Sequence, residues 1–184
     1  MSPPDLFDHL VEGLIGREGG YVNDPADSGG ETIWGITRAV ARENGYAGAM
    51  RDMTRDQAKA IYRAKYWAKP GLYHIAPLSS AIAEELLDTG VNAGTGTAGI
   101  LLQRSLNVLN RLGADYPDIK VDGAIGPGTA KALAAFLKRN GRPAEGRLMK
   151  MLNALQGAFY VELAERREKD ERFVNGWFDN RVGL

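Results

Sequence analysis

The residues best able to do chemistry in this chain lie between Arg17 and Thr37. Glu18 comes first, followed by Gly19 and Gly20. Two more carboxylates, Asp24 and Asp27, follow within a turn-rich stretch, and then Gly29, Gly30, Glu31 and Thr32. Glycine is poorly placed inside a helix, where it costs about 1 kcal/mol relative to alanine. It suits tight turns and sites where a ligand must approach the backbone. A carboxyl, a turn, a second carboxyl and a hydroxyl in that order can run general acid catalysis beside a stabilising negative charge.

The acid needs a rigid support, and the preceding residues supply one. Ser2-Pro3-Pro4-Asp5 predicts a helix start, with Ser as cap, Pro in the first turn and an acid at the positive end of the dipole. At about 100° per residue, Leu6, Phe7, Leu10, Val11, Leu14 and Ile15 share one half of the wheel. Asp8, His9 and Glu12 share the other half. Glu18 falls on the apolar side, near Leu14 and Val11. A carboxyl there is expected to be partly desolvated, which raises its pKa towards the range a general acid needs. Past the turn, the stretch to Thr37 reads as a short β-like run, part of a small glycine-rich hairpin.

These residues resemble the N-acetylmuramidases of glycoside hydrolase family 108, found as phage and prophage endolysins and related bacterial proteins. The matching core is Glu18 to Pro25 with Asp27, Gly29-Gly30, Thr32 and Gly35-Ile36-Thr37. A second block, Ile61-Tyr62-Arg63, Tyr66-Trp67 and Leu86-Leu87-Asp88 to Gly94, resembles the same proteins. Further on, Leu102-Gln103, Val121-Asp122-Gly123, Gly126-Pro127 and Thr129 resemble a peptidoglycan-binding module. The spacing is also similar to that of phage-type lysozymes, with an aspartate nine residues after the glutamate and a threonine ahead of a strand. That spacing favours Asp27 as the second carboxylate, with Asp24 as its competitor.

The resemblance implies a peptidoglycan hydrolase that cleaves the β-1,4 bond between N-acetylmuramic acid and N-acetylglucosamine. Glu18 is then the general acid, Asp27 the second carboxylate, and Thr32 an orienting group for water. Tyr21, Asn23, Asp24 and Trp34 are expected to line sugar subsites. Tyr66 is a candidate for the groove wall, and Asn92, beside Gly94, for an amide contact to substrate. No cofactor is needed. The rivals are a lytic transglycosylase, which uses one glutamate and forms an anhydro product, and a non-catalytic wall-binding protein on the same fold.

Composition limits other chemistries. The 184 residues include 23 Lys and Arg against 23 Asp and Glu, so net charge makes no case for nucleic acid or anionic membranes as partners. Residues 1–93 carry 9 Lys and Arg against 13 Asp and Glu, and residues 94–184 carry 14 against 10. The basic half could help hold an anionic wall polymer. There is no cysteine and there are two histidines, which leaves no thiol nucleophile and little for a metal site. Asp24, Asp27 and Glu31 lack the EF-hand pattern, so no metal is expected. No apolar run is long enough to span a bilayer and no classical signal peptide is visible. The expectation is a monomer made in the bacterial cytoplasm, and the family resemblance implies that it reaches the wall through a holin or a specialised release route.

The remaining pattern predicts helices over 37–44, from a capping box at Thr54 to about Trp67, 80–91, 97–111, 129–139 and about 145–171. The expected inner face of 97–111 includes Leu101, Ser105, Val108, Leu109 and Leu112. That of the longest helix comprises Leu148, Met151, Leu152, Leu155, Phe159 and Leu163, with Trp177-Phe178 folding back as an anchor. The fold class expected is mainly α and lysozyme-like, with a small β-hairpin framing the cleft. Residues 1–93 form its catalytic region. Residues 94–184 form a peptidoglycan-binding-like helical region, packed with the first into one fold.

Overall fold

A computed structural model of the chain describes the backbone of residues 3–18, 20–23, 30–141 and 143–183, and side chains within these from residue 6 onwards save 17 and 18. The expected class holds: the chain is mainly helical, with one small antiparallel hairpin. Two compact units divide it, residues 1–69 and 70–184.

In the first unit, α1 (Pro3–Glu18) buries Phe7, Leu10, Val11, Leu14 and Ile15, the stripe its sequence spacing predicts. Its counterpart is α3 (Arg55–Tyr62), opened by a capping box in which Thr54 and Gln57 satisfy each other's backbone N–H groups. Phe7 meets the Trp67 ring edge-on at 5.4 Å, and the Arg63 guanidinium lies 4.0 Å over Phe7. On the outer side, Glu12 pairs with both Arg55 and Lys59, and Asp8 with Arg63 at 3.0 Å. Lys59, with Arg55 adding to it, holds the Glu12 carboxyl below its usual pKa although desolvation acts the other way. The predicted helix to Trp67 is not uniform. After Tyr62 it widens into a π-helical stretch, Arg63–Ala68, with Lys69 N–H donating to Ala64 at 3.0 Å. The wider turn lets the consecutive residues Tyr66 and Trp67 both face inwards.

Strands β1 (Thr32–Ile33) and β2 (Ile36–Thr37) pair antiparallel, with Thr32 opposite Thr37 and Ile33 opposite Ile36. The two turn residues, Trp34 and Gly35, have φ of 53° and 73°, as a two-residue hairpin of matching twist requires. Helix α2 (Arg38–Glu43) follows directly, with the Thr37 hydroxyl accepting from Val40 N–H.

The second unit begins with α4 (Ser80–Ala93), capped by the Ser79 hydroxyl, which also donates to Glu145 at 2.6 Å. Only Gly94, at φ 93°, separates α4 from α5 (Thr95–Leu109), so α5 starts two residues before the predicted point. Its inner face also differs from expectation. Ala98, Leu101, Leu102, Ser105 and Leu106 are buried, while Val108 and Leu112 stand exposed. The helix ends at Leu109, and Arg111 and Leu112 turn left-handed, which rotates Leu112 out of the predicted stripe.

The loop of residues 121–126 crosses α5 closely enough that a Cβ on Gly99 would collide with the Gly123 carbonyl. Buried Gln103 ties that loop down. Its Oε1 accepts from the N–H groups of Asp122 (3.0 Å) and Gly123 (2.8 Å), and its Nε2 donates to Asp122 Oδ1 (3.1 Å) and Ala124 O (3.0 Å). The signature Gln103, Asp122-Gly123 is therefore one hydrogen-bonded joint.

Helices α6 (Pro127–Asn140), α7 (Pro143–Arg166) and α8 (Glu171–Asn180) complete the unit. The longest helix stops at Arg166, short of the predicted end. Its buried face is Leu148, Leu152, Asn153, Gln156, Gly157, Tyr160 and Ala164 rather than an all-apolar stripe. Polar residues occupy it because α4 offers them partners: Gln156 Nε2 donates to Thr89 at 2.9 Å. Trp177 stacks on Tyr160 at 4.9 Å and Phe178 rests on Gly157, the C-terminal anchor that the sequence predicts.

Candidate active site

The backbone of Glu18 is the last residue of α1, two residues before Gly20. A helix with its stripe buried as far as Ile15 gives that end a fixed position. Asp24 and Asp27 lie outside the described residues. The chain around them is anchored on both sides. Val22 pairs with Thr32 through two backbone hydrogen bonds of 2.8 Å, an isolated bridge beside the hairpin.

Next to that bridge is a charged cluster centred on Glu31. The half-buried Tyr21 donates its hydroxyl to Glu31 Oε1 at 2.6 Å, and Arg38 pairs with Oε2. The Arg51 guanidinium lies 4.7 Å over the Tyr21 ring. The Tyr21 hydrogen bond, then Arg38 and Arg51, hold the Glu31 carboxyl below its ordinary pKa despite desolvation acting the other way. Tyr21 is thus half of a fixed pair, and Asn23 beyond it is exposed.

Thr32 sits on β1, its hydroxyl 3.4 Å from the Gly30 carbonyl, to which it donates. Trp34 occupies the left-handed turn, a costly conformation for an aromatic residue. Two contacts hold it there. Its Nε1–H donates to Met53 O at 3.0 Å, and the Tyr62 hydroxyl donates to its own carbonyl at 3.2 Å. Tyr66 is buried with its ring 5.5 Å from Tyr62, and burial, then the nearby Glu43, raises its pKa. Asn92 belongs to the second unit, where it is exposed and donates back to Asp88 O of its own helix at 2.9 Å.

The sequence reading considered Glu31 only as a calcium ligand and passed over Arg38 and Arg51. A signal for one of them existed. A hairpin centred on Trp34-Gly35 puts Glu31 opposite Arg38, and opposite charges across a strand pair attract. Arg51 is reached only through tertiary folding. Among the described residues no group of three or more His, Cys, Asp or Glu could hold a metal, and no helix is long and apolar enough to cross a membrane.

A helix-terminal glutamate, a glycine-rich turn and a small hairpin in a mainly helical chain define the lysozyme-like class. Within that class the family is explicit. The sequence model of Glycosyl hydrolase 108 matches residues 11–94, and that of a Predicted Peptidoglycan domain matches residues 97–182, so a glycosyl hydrolase 108 region is followed by a peptidoglycan domain. It is a glycoside hydrolase of the kind that acts on peptidoglycan. The fold is similar to that in "Structure of Brucella abortus SagA", with a TM-score of 0.72 and 23% identity over 96% of this chain and 89% of that one. No curated protein matches the sequence.

Proposed function

We propose that the chain is an N-acetylmuramidase that hydrolyses the β-1,4 bond between N-acetylmuramic acid and N-acetylglucosamine. Glu18 gives its proton to the glycosidic oxygen as the C–O bond breaks and positive charge develops at the anomeric carbon. Asp27, with Asp24 as the competing choice, faces that charge as nucleophile or stabiliser, or positions water. Thr32 orients the water that completes the reaction. Tyr21, Asn23 and Trp34 contact the glycan, and protonation with charge stabilisation supplies the catalysis without a cofactor. Residues 1–93 act as the catalytic region and 94–184 as the wall-binding region.

The observation that carries this reading is the placing of Glu18. It ends a helix anchored by five buried apolar residues, and Val22, four residues on, is bridged to Thr32. The test is Glu18→Gln, which keeps the shape and removes the transferable proton. Clearance of a peptidoglycan suspension should fall at least about a hundredfold with the fold retained, the usual scale for losing a general acid. Lysis near the wild-type rate would remove Glu18 from the mechanism. Mass spectrometry of wild-type products should find reducing N-acetylmuramic acid; 1,6-anhydro ends would make the enzyme a transglycosylase, and no products at all would leave only wall binding.

A further inference from the structure

Among its described residues, the cluster beside the Val22–Thr32 bridge holds two guanidinium groups and one carboxylate. Glu31 is a single carboxylate, already engaged by the Tyr21 hydroxyl and by Arg38. Arg51 brings a second guanidinium to the same place and, among the described residues, forms no ion pair. It is exposed, with its guanidinium over the Tyr21 ring and interacting also with the Tyr21 hydroxyl. A guanidinium stacked on an aromatic ring keeps its N–H donors in its own plane, where they can still grip a carboxylate in a bidentate pair. Stacking on Tyr21 also removes much of the side-chain freedom that such a pair would otherwise have to freeze out. Tyr21 itself is immobilised by Glu31, and it lies three residues from Glu18 in the chain.

The chemistry of the proposed substrate supplies a matching group. Each muramic acid bears a lactyl carboxyl. In bare glycan strands that carboxyl is free; in intact peptidoglycan it is tied up as an amide, and the stem peptide carries carboxylates instead. We propose that Arg51, stacked on Tyr21 and backed by Glu31 and Arg38, is a specificity residue that binds a substrate carboxylate next to the scissile bond. The inference rests on the muramidase reading above.

The test compares Arg51→Gln with wild type on three substrates: intact peptidoglycan, glycan strands stripped of stem peptide, and the same strands with their lactyl carboxylates converted to amides. KM should rise about tenfold for the variant on a carboxylate-bearing substrate, the equivalent of one exposed charge-assisted contact. On the amidated strands wild type and variant should coincide. A rise confined to intact peptidoglycan identifies a stem carboxylate, and one confined to stripped strands identifies the lactyl group. An equal rise on all three substrates, or on none, overturns the proposal. If the wild type releases no reducing ends from any of them, the muramidase reading itself fails instead.

A wild-type measurement covers the case in which Arg51→Gln does not fold. Raising salt to about 0.5 M screens exposed charge pairs. KM should therefore increase on carboxylate-bearing substrate and stay level on amidated strands. The same salt response on both would refute the assignment.

Discussion

Glu85 should make the second unit lose stability as pH rises through neutrality. Its carboxyl sits on the inner side of α4 and its pKa is raised to about 7 from 4.5, first by burial and then by Asp88, with Glu84 adding to the effect. Thr89, which donates to Oε1 at 3.4 Å, and Asn153 oppose the shift and do not cancel it. The nearby cation Arg181 is engaged with Asp88 at 2.6 Å. Below about pH 4.5 the carboxyl is protonated in both folded and unfolded chains and contributes nothing. Between about 4.5 and 7 the unfolded chain releases the proton while the native state keeps it, so stability falls with increasing pH. Above about 7 the penalty is complete. A shift of about 2.5 units corresponds to about 3 kcal/mol, or about 2 kcal/mol once contact with solvent is allowed for.

Glu85→Gln keeps the acceptor that Thr89 uses and removes the ionisation. At pH 8 it should raise the melting temperature by about 4–8 °C, since 1 kcal/mol moves a chain of this size by about 2–4 °C. At pH 4.5 the two proteins should melt together to within about 1 °C. Calorimetry of both across pH 4.5–8 measures the difference directly. An offset between variant and wild type that is constant across the range, or that turns destabilising at pH 8, would refute the reasoning.

Asp27→Asn should lower turnover more than Asp24→Asn, whose residue is suited to holding the Asp-Pro turn. A larger kcat loss at Asp24 with an unchanged melting temperature reverses the assignment. Replacing Gln103 with Ala leaves the N–H groups of Asp122 and Gly123 without their buried acceptor, so denaturant titration should find about 2–4 kcal/mol lost; a loss under about 0.5 kcal/mol would show that the loop is held by other contacts. Cutting the chain after Ala93 strips α4 of α5 and α7 and uncovers Ile82, Ala83, Leu86 and Leu87. A 1–93 fragment should therefore be insoluble or molten by near-UV circular dichroism, and a soluble, active fragment would contradict this.

Local chemistry was enough to read much of this protein from its sequence. The stripe from Phe7 to Ile15 and the Thr54 capping box depend on neighbours within a few residues, and such patterns repeat wherever the same side chains recur. The order Glu18, glycine-rich turn, Thr32 and hairpin was legible for the same reason. Tertiary structure alone decided the rest. Leu112 left the predicted core because α5 ended at Leu109 and the backbone turned left-handed, an event that hydrophobic spacing does not encode, while Val108 lies on the exposed face of the helix. Asn153 and Gln156 entered the core because Thr89 and the Gly183 N–H met them there, partners far away in sequence. Arg51 joined Tyr21 and Glu31 across 20 to 30 residues for the same reason. A polar side chain is read as surface until its partner is known, and only the folded chain supplies the partner.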